Sequence, residues 1–338
     1  MGSTGLFDLP VSIEARKFSV VEKAFPEILK AFGVCGTDLH IYDGEFGAQV
    51  GQATILILDI TDNEAYFPLV PGHETVGEVA AFSKEVHGFK VGDRVVADNS
   101  ELCRHCYYCR RGKELFCENF IAHGDMVDGG FAGYAKYLAY RVFKFNNLSD
   151  VDATLLEPAA CAARPTGLIL AQLLRQNCGC HTVITAPAGL KMELAKSLDA
   201  ADEYVELPRE AKAAAPRLGK VRTQNPYAFD IVVEATGSAK MLEDAINFVT
   251  KGGKLVVYGV YGDEDHVSLS PNKIFKDEIS VIGSFSQTYK FPAAIDCFDK
   301  RQFKVEGIVN KTFKLEEWQA CLDAMKNKSV VEAAIVSD

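Results

Sequence analysis

The chain has 338 residues, 48% of them hydrophobic and 24% charged, which suits a two-domain protein with a sizeable core. Its formal net charge of −10 excludes a general nucleic-acid binder, which needs a basic face. No apolar run approaches the roughly 20 residues that span a bilayer, and ten cysteines without a secretion signal point to thiols and metal rather than a disulfide framework. Residues 1–6 have neither a positive n-region nor an apolar h-region, so the expectation is an uncleaved, cytoplasmic chain with no membrane partner. In chain order, residues 53–60, interrupted by Asp59, read as a strand. Short β-rich runs follow at 75–82, 93–97 and 131–138, separated by Gly and Asp, which suits an irregular β domain.

The rhythm then changes. A helix is expected over 166–176, a strand over 181–186, a helix over 191–198 and a strand over 203–207. The Ala-rich basic stretch 209–220 reads as a solvated loop or short helix. A strand over 230–234, a helix over 239–249, and strands over 254–260 and 279–282 complete an alternation that specifies a parallel α/β sheet. From about Phe291 the elements are mixed again.

Cys103-x2-Cys106-x2-Cys109-x7-Cys117 places four thiols within fifteen residues. At this cysteine frequency four preset positions are filled by chance roughly once in a million starts, for a spacing of the kind read as a zinc motif. Four thiolates close a tetrahedral zinc site, which is structural in character. Disulfide pairing is the rival reading, and thiols so closely spaced pair poorly among themselves. Arg104, Arg110, Arg111 and Lys113 stand among these cysteines and can offset the roughly −2 charge of a zinc–tetrathiolate cluster. Three further segments could build an open site: Gly33-Val34-Cys35-Gly36-Thr37-Asp38-Leu39-His40, Pro71-Gly72-His73-Glu74 and Leu156-Glu157-Pro158-Ala159. Taken singly, Cys35 reads as core, His73 as a structural hydrogen-bonder and Glu157 as the start of a turn or helix. Taken together they offer thiolate, imidazole and carboxylate with a fourth position free, the arrangement of a catalytic zinc.

These motifs, with Gly129-Gly130-Phe131-Ala132-Gly133-Tyr134 after the four-cysteine run, resemble the zinc-dependent medium-chain dehydrogenases of the alcohol dehydrogenase superfamily. Within it the chain is most similar to fungal polyol dehydrogenases of the arabinitol, xylitol and sorbitol type, from about Glu27 to Asp338. The resemblance implies a GroES-like β domain over 1–160 and 290–338 that carries both zincs, and a Rossmann domain over 161–289. It implies Cys35, His73 and Glu74 as ligands of the reactive zinc, with Glu157 an alternate ligand or a neighbour of the metal. Thr37 and His40 match a hydroxyl–imidazole relay that takes the proton of the alcohol outward. The implied reaction is reversible oxidation of a secondary alcohol of a polyol to a ketose with NAD or NADP, by a homodimer or homotetramer.

The pattern breaks at the start of the nucleotide half. A dinucleotide fingerprint needs a strand, a Gly-rich turn and a helix N-terminus. Here only Pro165-Thr166-Gly167 remains, and six residues separate Pro158 from Pro165. The missing first Rossmann strand is central in the doubly wound order. About seventeen extra residues, roughly 48–66, lie between the Cys35 and His73 segments, and the strands before Glu27 are shortened. Such gaps and insertions suggest misjoined exons in a gene model; the alternative is a rebuilt paralogue in which residues 54–60 supply a strand. Elsewhere the resemblance holds, and Thr236, Gly237, Tyr258, Gly259, Val260, Gly283, Ser284 and Phe285 are implied to line the nicotinamide end. Ala186 and Pro187 stand where NAD-specific relatives carry an acid, and Lys191 follows, which favours NADP over NAD. A catalytically silent zinc protein is the competing function.

Overall fold

The computed structural model describes residues 10–15, 29–42, 69–82, 84, 86–161, 167–208, 211–262 and 264–337. The strand expected at 53–60 lies outside them. The chain divides into two compact units, Met1–Cys161 with Gln287–Asp338, and Ala162–Ser286.

In the first unit β1 (Pro10–Ala15), β2 (Leu29–Val34) and helix α1 (Gly36–Tyr42) come first. They are followed by β3 (Glu74–Glu78), β4 (Ala81–Phe82), β5 (Arg94–Ala97), β6 (Ser100–Glu101), β7 (Ile121–Ala122), β8 (Gly133–Leu138) and β9 (Val142–Lys144). Helices α2 (Asp150–Ala153) and α3 (Leu156–Cys161) end this pass. The second unit holds α4 (Gly167–Cys178), β10 (Val183–Pro187), α5 (Leu190–Ser197), β11 (Glu203–Leu207), α6 (Ala211–Gln224), β12 (Phe229–Glu234), α7 (Ala239–Ala245), β13 (Val249–Val257), α8 (Pro271–Lys276) and β14 (Ser280–Gly283). The chain then returns to the first unit with α9 (Phe291–Asp299), β15 (Val309–Phe313), α10 (Trp318–Lys326) and β16 (Glu332–Val336).

The first unit is built on a six-stranded sheet of order β15-β16-β2-β3-β5-β9, beside a three-stranded sheet of order β4-β1-β8. Phe32, Val34, Val95, Phe131, Tyr137, Ala333 and Ile335 belong to one buried cluster. Each large apolar side chain so buried stabilises the fold by about 1.5–3 kcal/mol. Phe131 is the hub: its ring meets Phe32 edge-on at 5.8 Å and Trp318 at 4.9 Å. The C-terminal strand β16 pairs with β2 through Ala333 and Val34, so the tail completes the sheet that carries Cys35.

The second unit has parallel strands throughout, as the alternating pattern requires, with several boundaries displaced. The expected 239–249 helix ends as α7 at Ala245 and continues as a short 3-10 turn before β13 begins at Val249. Of the 209–220 stretch, expected as a solvated loop or short helix, the described residues from Ala211 onward are helical: Ala and Lys, strong helix formers, help build the fourteen-residue α6, which tolerates Pro216 inside it. β10 pairs with β11, and β12, β13 and β14 pair in sequence. Among the described residues no ladder joins β10 to β12, and no strand of this unit precedes α4. Among the described residues the ladders thus form a pair and a trio, and residues 162–166, just before α4, lie outside them. Parallel strands are normally covered on both faces, yet Ile231 on β12 is 45% exposed.

Candidate active site and metal centres

The four-cysteine lobe is closed at its neck by β6 and β7, which pair Ser100 with Ala122 and Glu101 with Ile121. Between them the sulfurs of Cys103, Cys106, Cys109 and Cys117 all lie within 4.8 Å of one another, and none is in a disulfide. Backbone N–H groups donate to these sulfurs: Cys103 to Cys117 Sγ at 3.3 Å, Cys106 to Cys103 Sγ at 3.4 Å, Cys109 to Cys106 Sγ at 3.5 Å and Asn119 to Cys117 Sγ at 3.4 Å. Donors aimed at sulfur favour thiolate over thiol. Burial works against the Cys103 thiolate, but hydrogen bonds from the His105 and Cys106 backbone and from Asn119 outweigh it and hold the thiol at about 6. Burial pushes the Cys109 thiol up to about 12, with the Cys106 and Cys117 thiols adding to the effect. The neighbouring cations are placed around the lobe. The Arg104 guanidinium stacks on Tyr140 at 3.7 Å and that of Arg111 on Tyr107 at 3.5 Å, while Arg110 and Lys113 are exposed. Hydrogen bonds to the sulfurs come from backbone N–H groups.

The open cluster is assembled by strand register. β2 and β3 are antiparallel neighbours with Gly33 opposite Glu74, so Cys35, just past β2, meets His73, just before β3. Cys35 Sγ and His73 Nε2 are 3.1 Å apart. The first turn of α1 holds the cysteine: Thr37 N–H donates to Cys35 Sγ at 3.2 Å, and Asp38 Oδ2 accepts the Cys35 N–H at 2.9 Å. Glu74 folds its carboxylate over Gly33, where a Cβ would stand 1.7 Å from Glu74 Oε2. Helix α3 supplies Glu157, whose Oε1 accepts from Cys161 Sγ at 2.9 Å. Two trios of ligand atoms therefore lie within 4.8 Å, Cys35–Asp38–His73 and His73–Glu74–Glu157, with His73 common to both.

All five of these side chains are buried. Burial pushes the Cys35 thiol and the Asp38 carboxyl up. It pushes Glu74 well up, helped by the negative charges of Cys35 and Glu332, and raises Glu157 as well. Burial alone would lower His73, but Cys35, Asp38 and Asp125 around the ring hold it well above the usual imidazole value. Asp38 Oδ1, His73 Nδ1, Glu74 Oε2 and Asp125 Oδ1 are buried without a hydrogen-bond partner. Buried acids and a thiol facing one another with orphaned atoms are costly, and a divalent cation relieves that cost. Sulfur, imidazole and carboxylate donors with an open position fit Zn²⁺. Asp38 and Asp125 had no role in the sequence reading. Asp38 lay inside a quoted motif, three residues from Cys35; Asp125 carried no signal of its own. His40 belongs to α1, and its side chain lies outside the described residues.

In the second unit Gly167 opens α4, whereas Pro165 and Thr166 lie outside the described residues. Lys191 is in the first turn of α5, just past the C-terminal end of β10. Thr236–Gly237, Tyr258–Val260 and Gly283–Phe285 follow or close the C-terminal ends of β12, β13 and β14, the edge at which open α/β sheets bind ligands. Glu234 organises that edge, accepting from Thr236 N–H at 2.8 Å, Gly237 N–H at 3.2 Å, the Thr236 hydroxyl and the Tyr261 hydroxyl. Gly259 must be glycine here, because a Cβ would stand 2.2 Å from the Gly237 nitrogen.

A closed four-cysteine centre, an open buried centre and a parallel α/β unit define a zinc protein of the dehydrogenase type. Comparison with known proteins agrees. Residues 28–147 match the family model "Alcohol dehydrogenase GroES-like domain", and residues 165–300 match "Zinc-binding dehydrogenase". D-arabinitol dehydrogenase 1 of Uromyces fabae is 42% identical over 347 aligned positions, covering 95% of this chain and 94% of that protein. Among solved structures, a zinc-binding dehydrogenase of Sinorhizobium meliloti 1021 bound to NADP superposes with a TM-score of 0.78 at 23% identity, covering 97% and 99% of the two chains. The 2R,3R-butanediol dehydrogenase of Bacillus subtilis gives 0.75 at 23% identity, covering 97% and 100%. The chain belongs to the zinc-dependent medium-chain alcohol dehydrogenase family. It is a zinc-dependent NAD(P) dehydrogenase of small-molecule alcohols, and no helix among the described residues is long and apolar enough to cross a membrane.

Proposed function

We propose that the chain oxidises a secondary alcohol of an acyclic polyol, of the arabinitol, xylitol or sorbitol class, to the ketose, and runs the reverse reaction. The observation that carries this reading is the buried Cys35–His73–Glu74–Glu157 cluster in a chain 42% identical to a D-arabinitol dehydrogenase. The first unit acts as the catalytic zinc domain and the second as the nucleotide-binding domain. Cys35 and His73 are zinc ligands, Glu74 is the first carboxylate ligand, and Glu157 is the alternate one; Cys103, Cys106, Cys109 and Cys117 hold the structural zinc. When bound, zinc supplies Lewis acidity toward a substrate hydroxyl and the nicotinamide accepts hydride.

The chain's own residues do the rest. The α1 turn fixes the sulfur through the Thr37 N–H, and the Thr37 hydroxyl accepts the substrate proton, which His40 passes outward. Gly33 leaves the room in which the Glu74 carboxylate lies, so this ligand fits against β2 without a clash. Pro165, Thr166, Gly167 and Lys191 are assigned to the phosphates, and Thr236, Gly237, Tyr258, Gly259, Val260, Gly283, Ser284 and Phe285 to the nicotinamide end. NADP is preferred to NAD: β10 ends in Ala186 and Pro187 with no acid to repel a 2′-phosphate, and Lys191 stands in the helix turn beside it. The active form is a homo-oligomer; the edge strand β14, with Val281 and Ile282 each 42% exposed, suits a contact between copies. A second reading, a zinc protein with little or no turnover, is favoured by the divided parallel sheet. Purified zinc-loaded protein tested on arabinitol, xylitol, sorbitol and ethanol with each cofactor decides between them. Turnover of a polyol with NADP supports the first reading, turnover of ethanol alone overturns the substrate class, and none with any pair leaves the second.

A further inference from the structure

His73 presents Nε2 to Cys35 and turns Nδ1 toward two carboxylates, Asp38 Oδ1 at 3.5 Å and Asp125 Oδ1 at 3.4 Å. Neither distance is a made hydrogen bond, and all three atoms are buried without a hydrogen-bond partner. The two carboxylates are not equivalent. Asp38 is already engaged, since its other oxygen accepts the Cys35 N–H at 2.9 Å. Asp125 lies on the segment that runs from the four-cysteine lobe to Phe131, and that segment is clamped onto the backbone before His73. Gly129 N–H donates to Val70 O at 2.6 Å, Gly130 N–H to Gly72 O at 2.7 Å and Phe131 N–H to Pro71 O at 2.9 Å. Val70 N–H donates to Asp128 Oδ1 at 3.1 Å. Gly124, with φ +88°, lies so close that a Cβ would stand 2.4 Å from Gly72 O. Asp125 follows Gly124 directly, so the clamp sets its carboxylate against the imidazole.

We infer that Asp125 is a positioning residue for His73: its carboxylate accepts a hydrogen bond from Nδ1–H, fixes the tautomer that leaves Nε2 free for zinc, and ties the reactive centre to the segment leaving the four-cysteine lobe. A carboxylate on the far nitrogen of a ligating histidine orients the ring and raises its basicity, and its loss costs about 10–100-fold in metal affinity. Asp38 holds the cysteine ligand through Oδ2 and also faces the imidazole with Oδ1, while Asp125 faces the imidazole from the clamped segment. The inference rests on His73 being a ligand of the reactive zinc.

The test follows zinc release from the full-length, zinc-loaded protein to a chromophoric chelator, with the open centre expected to release in the fast phase and the closed lobe in the slow one. Asp125→Asn should speed the fast phase about 10–100-fold and leave the slow phase unchanged. Asp125→Glu should restore most of the retention, and cobalt substituted at the open centre should show a shifted ligand-field spectrum in Asp125→Asn. A wild-type fast phase in Asp125→Asn overturns the inference. So does parallel loss of both zincs, which would mark the residue as a support of the lobe fold. His73→Ala separates the two claims: if it keeps the fast-phase zinc, His73 is no ligand, and if it loses that zinc while Asp125→Asn does not, only the role of Asp125 fails.

Discussion

The two units of this chain are built to different standards of completeness. The first closes a six-stranded sheet with strands from both ends of the sequence, and the register of that sheet brings Cys35, His73 and Glu74 together. The second divides its parallel strands into a pair and a trio, with no described ladder between β10 and β12. A metal centre needs only local register and short loops, which the first unit has. A dinucleotide site needs a strand that aims the phosphate turn at a helix N-terminus, and among the described residues no strand of this unit stands before α4. Among the described residues the first unit therefore brings its candidate metal ligands together, while the strand that would aim the phosphate turn of the second is not among them.

The largest expected effect breaks the first half of this contrast. His73→Ala removes the group shared by both ligand trios and should abolish turnover while leaving the lobe zinc in place, as elemental analysis would show. A variant that still turned over would move the reactive centre elsewhere. Cys106→Ser should remove the lobe zinc and lower the melting temperature sharply, because the free energy of binding a structural zinc is also folding free energy. The lobe should be proton-linked as well. With the Cys109 thiol near 12 and that of Cys117 raised, both carry protons at neutral pH, and zinc must expel them. With at least these two protons expelled, the zinc affinity of the metal-free lobe should fall about 100-fold or more for each pH unit of acidification. Below about pH 6 the protonation of Cys103 steepens the loss. Competition with a chelator at several pH values measures the slope, and a flat profile would mean that all four sulfurs are ionised before zinc arrives.

Smaller effects sharpen the picture of the open centre. His40→Ala should slow turnover far more at neutral than at high pH, where hydroxide takes the proton directly; an unchanged pH–rate profile would remove His40 from the relay. Gly33→Ala should cost about 1–3 kcal/mol of stability, as overpacking does, because its methyl would claim the place of the Glu74 carboxylate. In a Glu74→Ala background the same change should cost much less in denaturant unfolding, the remainder coming from the 3.0 Å approach to the Cβ that alanine keeps. Equal costs in both backgrounds would show that the crowding lies with some other neighbour.

Legibility in the sequence followed locality. The four cysteines announce their site because all ligands fall in one short segment. Cys35, His73 and Glu157 were legible only through their motifs and the family resemblance, since their meeting depends on the pairing of β2 with β3 and on α3. Asp125 was not legible: it reaches the imidazole because three backbone hydrogen bonds clamp its loop, and backbone bonds leave little trace in side-chain identity. For the basic stretch before β12 the sequence left loop and short helix open, and Ala and Lys propensity carries it into the helix α6, longer than expected.

The contrast between the units is tested most directly by titrating the purified, zinc-loaded chain with NADPH and following nucleotide fluorescence, with zinc counted on the same sample. The account predicts up to two zincs per chain together with NADPH binding weaker than micromolar, strengthened when a strand and a Gly-x-Gly turn are inserted ahead of Pro165. Micromolar binding by the unaltered chain would contradict it, and would mean that the nucleotide sheet is completed in another way.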